Sequence, residues 1–516
     1  MVEIECCLSN SLPGIIIVGS GSRNVDEAKE RIRGAFSSSG VAMPRKRITI
    51  NLAPADTTKE SSSLDLPIAI AILKASGSLP AETRTDELFI GELGLDGRVR
   101  PVRGIIGKLL SGREHGFRRF YIPQSNLQQA RTVPDIELIP VAQLGQLVDH
   151  LTARASLDST FTSAEPSTAY DTTLESIFQT SDEHTVTLGD IVGQTQAKRT
   201  LQIAAAGGHN LLLSGPPGSG KSMLAKALVT ILPPLNREEM LEVTQLHSLS
   251  SNEYDRLITS RPVRAPHHST SHAAVIGGGS KIRPGEISLA HRGVLFFDEL
   301  PEFNRDTIEA LRQPLEEKTV TITRARDTIE FPANFIFVAT ANPCPCGYYT
   351  ANPAATPHST GRTLCDCPPA LISQYQRKLS GPLLDRIDLT VTVEPVDHAQ
   401  LLKNVVESGN NRGEAYDTSI IRLVSLARNI QHKRFRGQTK LNSDMTNNEV
   451  KRYALLTPVA SKLLNTAARN LQLSARSYIR CIKVARTIAD LAGSDHIEPE
   501  HLTEALHYRP TEAHRA

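Results

Sequence analysis

The segment GPPGSGKS comprises Gly215, Pro216, Pro217, Gly218, Ser219, Gly220, Lys221 and Ser222. It follows an apolar run from Asn210 to Ser214 and precedes a helical stretch from Met223 to Thr230. In a strand–loop–helix setting of this kind, backbone N–H groups and a helix N-terminus cradle phosphates. Lys221 is expected to reach the β- and γ-phosphates of ATP, and Ser222 to ligate Mg²⁺. Further on, the apolar run of GVLFFDE ends in two adjacent carboxylates, Asp298 and Glu299. After a phosphate loop, the first suits a magnesium ion held through its water shell and the second suits polarising an attacking water. A third buried run, FIFVATAN from Phe335, ends at Asn342, which can orient the same water or simply form a turn.

Elements of two kinds must position these groups. Short apolar runs alternate with helical stretches from Met1 to Ala153: strands over Pro13 to Val18 and Arg47 to Leu52, helices over Asn24 to Phe36 and Asp65 to Ala75. Asp65 is expected as an N-cap, with Pro67 where a missing N–H costs little. Residues 154–186 are rich in Ser, Thr, Asp and Glu, with too little apolar surface to offset ordering entropy, and read as a linker. Residues 187–395 return to the α/β pattern. Residues 396–516 read as mostly helical, with Ile479, Ile482, Ala485, Ile488 and Ala489 on one helical face.

The 516 residues are enough for about three domains, and 40% hydrophobic with 22% charged residues is ordinary globular composition. No run approaches the ~20 apolar residues of a membrane helix, and the first residues, with Glu3 and Glu5, do not resemble a signal peptide; the cytoplasm is the expected compartment. Lys plus Arg is 57 against 55 Asp plus Glu, a net charge of +2, so any nucleic-acid binding must use local basic residues multiplied by assembly. Seven cysteines argue against a secreted disulfide framework.

Two arginine sites stand beyond the phosphate loop. Arg386, between Asp385 and Asp388, can reach a neighbouring subunit's nucleotide or pair with either aspartate; Arg476 and Arg480 open a helix one turn apart, as γ-phosphate sensors or solvated charges. Val320 to Thr323 and Thr328 to Phe331 alternate apolar and polar residues around a turn, giving a hairpin with Arg324 and Arg326 near its tip. Such a tip can grip DNA phosphates without sequence preference; a solvated edge hairpin is the alternative. Cys344, Cys346, Cys365 and Cys367 can supply four thiolates to a structural Zn²⁺, although C-x-C is tighter than common zinc spacings; free thiols are the other reading. No metal is expected at His267, His268 and His272.

Together, the phosphate loop, the acidic pair, Asn342 and the two arginine positions resemble an AAA+ ATPase. Longer phrases resemble the ComM/YifB group of magnesium-chelatase-like AAA+ proteins: NLAPAD from Asn51, RAPHH from Arg264, IGGG from Ile276, RPGEISLAH from Arg283, NPCPCG from Asn342, LSGPLLDRIDL from Leu379 and KVARTIADL from Lys483. That resemblance spans nearly the whole chain. It implies a Lon-protease-like α/β domain over 1–153, an AAA+ P-loop core over 187–395 and a C-terminal α-helical lid over 396–516. It further implies that Asn342 is sensor 1, Arg386 a trans-acting finger and Arg476 the sensor 2 arginine, with Ile191, Val192 and Gly193 against the adenine. The hairpin would point into the pore of a hexameric ring. Family members resembling ComM imply an ATP-driven DNA helicase that promotes branch migration in recombination and natural transformation. The alternatives are the ATPase subunit of a metal chelatase or a protein-remodelling ATPase.

The sequence departs from the family pattern in two places. Members carry about one more strand ahead of Val2, so either the first sheet is incomplete or the start codon is misassigned. Where Lon has a Ser/Lys dyad, hand alignment puts Asp65 and Ile106, with Lys108 and Ser61 to Ser63 offset. The domain is therefore expected to be a non-catalytic scaffold.

Overall fold

Ile48, Ile50 and Leu52 alternate with polar residues along Arg47–Ala53, so one face of that strand is apolar and must be covered. In the computed structural model this strand is the centre of a three-stranded sheet, antiparallel to Glu3–Ser9 and parallel to Gly14–Val18. The structure describes residues 1–19, 23–54, 62–79, 86–162, 186–250, 257–279, 282–323, 328–349, 365–379, 381–395 and 411–509. The helices Arg23–Ser38 and Asp65–Ala75 supply Ile32, Phe36, Leu66 and Ile70 to the core under the sheet.

Asp65 does not cap its helix. Leu64 occupies the N-cap without a side-chain bond, and Asp65 instead pairs with Arg31, which reaches both its carboxylate oxygens at 2.7 and 3.0 Å. A buried carboxylate gains more from a guanidinium than from one backbone N–H.

A second sheet carries Glu87–Phe89, Arg119–Pro123 and Ile136–Val141 in parallel. Thr160–Thr162 adds an antiparallel fourth strand, with Thr162 buried and bonded to Ile136, so part of the expected linker is sheet. Thr and Phe, one β-branched and the other aromatic, are both enriched in strands. Residues 163–185 lie outside the described residues.

The chain divides into two units, Met1–Thr180 with Met240–Ile258, and Ser181–Glu239 with Thr259–Ala516. Leu241 accordingly packs with Ile106, Leu109 and Phe120 of the first unit.

The second unit is built on a five-stranded parallel sheet. Its order is Val263–Arg264, Val294–Phe297, Ile336–Ala341, Leu211–Ser214, Leu389–Thr392. The three central strands are buried along their whole length, as expected of strands covered on both faces. The helices Asn411–Arg434, Asn447–Tyr453, Pro458–Asn470, Ala475–Leu491 and Pro499–His507 follow. They share one hydrophobic core with the sheet and with the alanine-rich helix Thr195–Gly207. Arg486, almost fully buried, is satisfied by Asp490 and by the carbonyls of Ser494 and Asp495.

Candidate nucleotide-binding site

Parallel strands gather whatever follows each of them at one edge of the sheet. Ser214 leads into the phosphate loop, Phe297 into Asp298 and Glu299, and Ala341 into Asn342. Three segments far apart in sequence thus meet at the carboxyl ends of the strands. Gly220 takes φ +90, a left-handed conformation that favours glycine, and opens the helix Lys221–Ala227. Gly215 passes the Val393 carbonyl so closely that an added Cβ would stand 2.3 Å from it.

Lys221 is buried and donates to the loop carbonyls of Gly215 and Pro216 at 2.9 and 2.7 Å. Burial lowers the pKa of its ammonium, while the charges of Asp298 and Glu299 work the other way. A lysine held by its own loop is replaceable: phosphate oxygens can take the place of neutral carbonyls with stronger, charge-assisted bonds.

Both oxygens of Asp298 are held by hydroxyls, with Ser222 donating at 2.9 Å and Thr340 at 2.6 Å. Thr340 in turn accepts the Glu299 N–H at 2.8 Å. Glu299 sits at φ +52, a left-handed conformation unusual for a non-glycine residue. The Asn342 amide is 3.5 Å from Glu299 Oε1, at the outer limit of a hydrogen bond. The arrangement brings a lysine, a hydroxyl, two carboxylates and an amide together around the loop, a set suited to binding Mg²⁺ with a nucleotide triphosphate and directing a water at it. Thr340 was not singled out from the sequence; its one signal is a hydroxyl interrupting the apolar run IFVATA. Ile191 is buried in the core of this unit and Gly193 has φ +64; Gln194 donates to the Glu394 carbonyl at 2.5 Å.

The predicted arginines stand elsewhere. Arg386 precedes the strand Leu389–Thr392 and therefore lies at the amino edge of the sheet, across from the phosphate loop. Its partner is neither Asp385 nor Asp388. Arg386 contacts Glu316 Oε2 at 2.7 Å and donates to the Pro382 carbonyl, also at 2.7 Å. Arg476, with a largely exposed side chain, lies 3.6 Å from the other oxygen of the same Glu316. Arg480 is not solvated but bonds Asp388 at 2.6 Å. Burial alone would favour the protonated form of Asp388; Arg480, His209 and the Asn210 N–H overcome it and hold the carboxyl well below its usual range. A cavity of about 610 Å³ opens here, with Asn210, Lys318, Glu316 and Lys483 in its wall and no residue of the phosphate loop.

The hairpin is present, with Thr319–Thr323 paired to Thr328–Pro332. Arg324 and Arg326 fall outside the described residues. The four cysteines converge: their sulfurs all lie within 4.8 Å of one another, with Cys344 to Cys346, Cys346 to Cys365 and Cys344 to Cys365 at 3.2, 3.5 and 3.7 Å. A tetrahedral zinc with four thiolates at ~2.3 Å spaces its sulfurs by roughly 3.8 Å, so these residues fit that ion. Among the described residues they are the one cluster of three or more His, Cys, Asp or Glu side chains close enough to share a metal ion. His267 and His268 instead lie against each other, ring centroids 4.0 Å apart, and His267 meets Ser269.

In the first unit Asp65 and Ile106 are both buried, and Lys108 is tied to the Arg103 carbonyl at 2.6 Å. No described helix is long and apolar enough to cross a membrane.

Three family descriptions match successive parts of the chain: "Subunit ChlI of Mg-chelatase" over residues 4–126, "Magnesium chelatase, subunit ChlI" over 187–401, and "Magnesium chelatase, subunit ChlI C-terminal" over 417–509. The class is thus that of the magnesium-chelatase-like AAA+ ATPases. Among relatives, the competence protein ComM of Haemophilus influenzae is 41% identical over 510 residues, 99% of this chain and 94% of that protein. YifB of Salmonella typhimurium is 39% identical over 510 residues, covering 98% and 94%. The chain belongs to the ComM/YifB family. Part of it is also similar to the Lon protease of Rhizobium meliloti, 27% identical over 164 residues, 28% of this chain and 20% of that protein.

Proposed function

We propose that this protein is an ATP-hydrolysing motor that assembles as a hexameric ring, moves on DNA and promotes branch migration during recombination. The observation that carries the ring is the separation of its parts. The loop, the acidic pair and Asn342 stand at one edge of the sheet, while Arg386 and Arg476 stand at the other. A nucleotide within reach of these arginines belongs to a neighbouring copy. Glu316 holds both arginines until that nucleotide's phosphates compete for them.

Within one chain, Lys221 and the loop grip the β- and γ-phosphates, and Ser222 and Asp298 hold Mg²⁺. Glu299 accepts the proton of the attacking water, with Asn342 orienting it. Ile191, Val192 and Gly193 flank the adenine. The DNA reading rests on the similarity to a competence protein and on the hairpin, whose Arg324 and Arg326 would line the pore and bind backbone phosphate. The four cysteines bind a structural zinc. The work is done in the cytoplasm, and the Lon-like unit serves as a scaffold, since Asp65 is consumed in an ion pair.

The test is the steady-state ATPase rate with Mg²⁺, with and without single-stranded DNA, using Lys221→Ala as the blank. Stimulation by DNA that disappears when Arg324 and Arg326 become alanine supports the motor. Turnover indifferent to every DNA tried removes DNA as the partner and favours a chelatase-type or protein-remodelling role.

A further inference from the structure

The cysteine cluster is not remote from the phosphate loop. Cys344 follows Asn342 by two residues, just beyond the strand Ile336–Ala341 that carries Thr340. The turn that holds Cys344 and Cys346 closes with the Gly347 N–H donating to the Cys344 carbonyl at 2.9 Å. Gly347 is buried, has φ +85, and lies against the loop itself: an added Cβ would stand 2.4 Å from Pro217 Cδ.

The second pair of cysteines leads into the helix Pro369–Gln376. From that helix Gln376 donates to the Pro343 carbonyl at 3.2 Å. Tyr375 is buried there, and burial together with the charges of Glu302 and Glu299 pushes its phenol up. One arm of the cluster therefore abuts the phosphate loop at Pro217, and the other is tied to the same turn through Gln376 and Pro343. The stretch between them, 350–364, lies outside the described residues.

We propose that a zinc ion held by Cys344, Cys346, Cys365 and Cys367 fixes the position of Gly347 against Pro217, so that nucleotide affinity depends on metal occupancy. This rests on the zinc reading given above and adds a consequence to it. Without a cation nothing draws the four sulfurs together, and the turn relaxes; with zinc all four bind it as thiolates and the turn is rigid. A displaced Gly347 removes the packing that holds one side of the phosphate loop.

The experiment uses the full chain. Zinc content is measured by mass spectrometry on protein purified without chelator, and affinity for a fluorescent ATP analogue is measured with Mg²⁺ before stripping, after stripping and after zinc is returned. The expected results are one zinc per chain and an affinity that falls about tenfold on stripping and recovers with zinc but not with added Mg²⁺. Recovery in the same sample excludes irreversible unfolding. Gly347→Ala is expected to keep its zinc and still bind the analogue about tenfold more weakly, because both its φ and its contact with Pro217 are disturbed. Protein that carries no zinc and takes up none overturns the metal reading itself. Zinc-loaded and zinc-free protein of equal affinity, or Gly347→Ala with both zinc and affinity intact, overturns the coupling and leaves the zinc standing.

Discussion

Two aspartates, one in each unit, show how environment assigns a role to the same side chain. Asp65 opens a helix in the first unit and is 1% exposed; Arg31 takes both its oxygens, and the Leu93 N–H adds a third bond at 3.3 Å. Burial still pushes its carboxyl up against the pull of Arg31. Asp298 ends a strand in the second unit and is exposed, and two neutral hydroxyls steady it. The first is a neutralised pair, closed to any ligand. The second faces solvent, open to a hard cation. An acid beside an arginine holds the fold together; an acid steadied by hydroxyls at a strand end is available for chemistry.

The sharpest test of the open half is Glu299→Gln, expected to leave nucleotide binding intact and to lower the ATPase rate by about 10²–10⁴-fold. A loss below tenfold would place the water-activating group elsewhere. The closed half is tested by Asp65→Ala. It removes the carboxylate that takes two bonds from Arg31, and thermal or urea unfolding should show a loss of about 3 kcal/mol, with ATPase per folded molecule unchanged. Normal stability with reduced turnover would reverse the comparison and give the first unit a catalytic part.

Thr340→Val addresses the hydroxyls. It removes the donor to Asp298 and the acceptor of the Glu299 N–H at nearly constant volume, and kcat should fall about tenfold with little change in stability. The smallest effect is expected at Glu449, a half-buried carboxylate between the two extremes. Despite some desolvation, Lys440 at 2.7 Å and the Thr446 N–H and hydroxyl hold its pKa at about 2, below the ordinary 4.5. A depressed pKa stabilises the fold above the unfolded value, and that contribution is lost as pH falls through the folded one. Glu449→Ala should therefore cost about 1 kcal/mol at neutral pH, and the difference from the parent should shrink as pH drops from 4.5 toward 2. A difference that persists at pH 2 would assign the loss to packing.

Much of the second unit was legible because its signals are short in sequence. The phosphate loop with its flanking strand and helix, the strand ending at Asp298 and Glu299, the strand before Asn342 and the hairpin pairing all follow from runs of fewer than about ten residues. Less legible was anything requiring a distant partner. Asp65 satisfies the pattern of a helix cap and becomes an ion pair instead, because Arg31 arrives from 34 positions away. Arg386 is flanked by two aspartates, yet it pairs with Glu316, and Thr340 carried no motif.

The chain's own order of residues determined the phosphate loop and the strand-end acidic pair, because each is built from local backbone geometry. Tertiary structure alone decided which charges are neutralised and which stay open, which edge of the sheet each arginine faces, and that four cysteines in two pairs converge beside Pro217. Those outcomes depend on distances through space between residues distant in sequence. A buried charge is settled by whatever partner the packed fold brings to it.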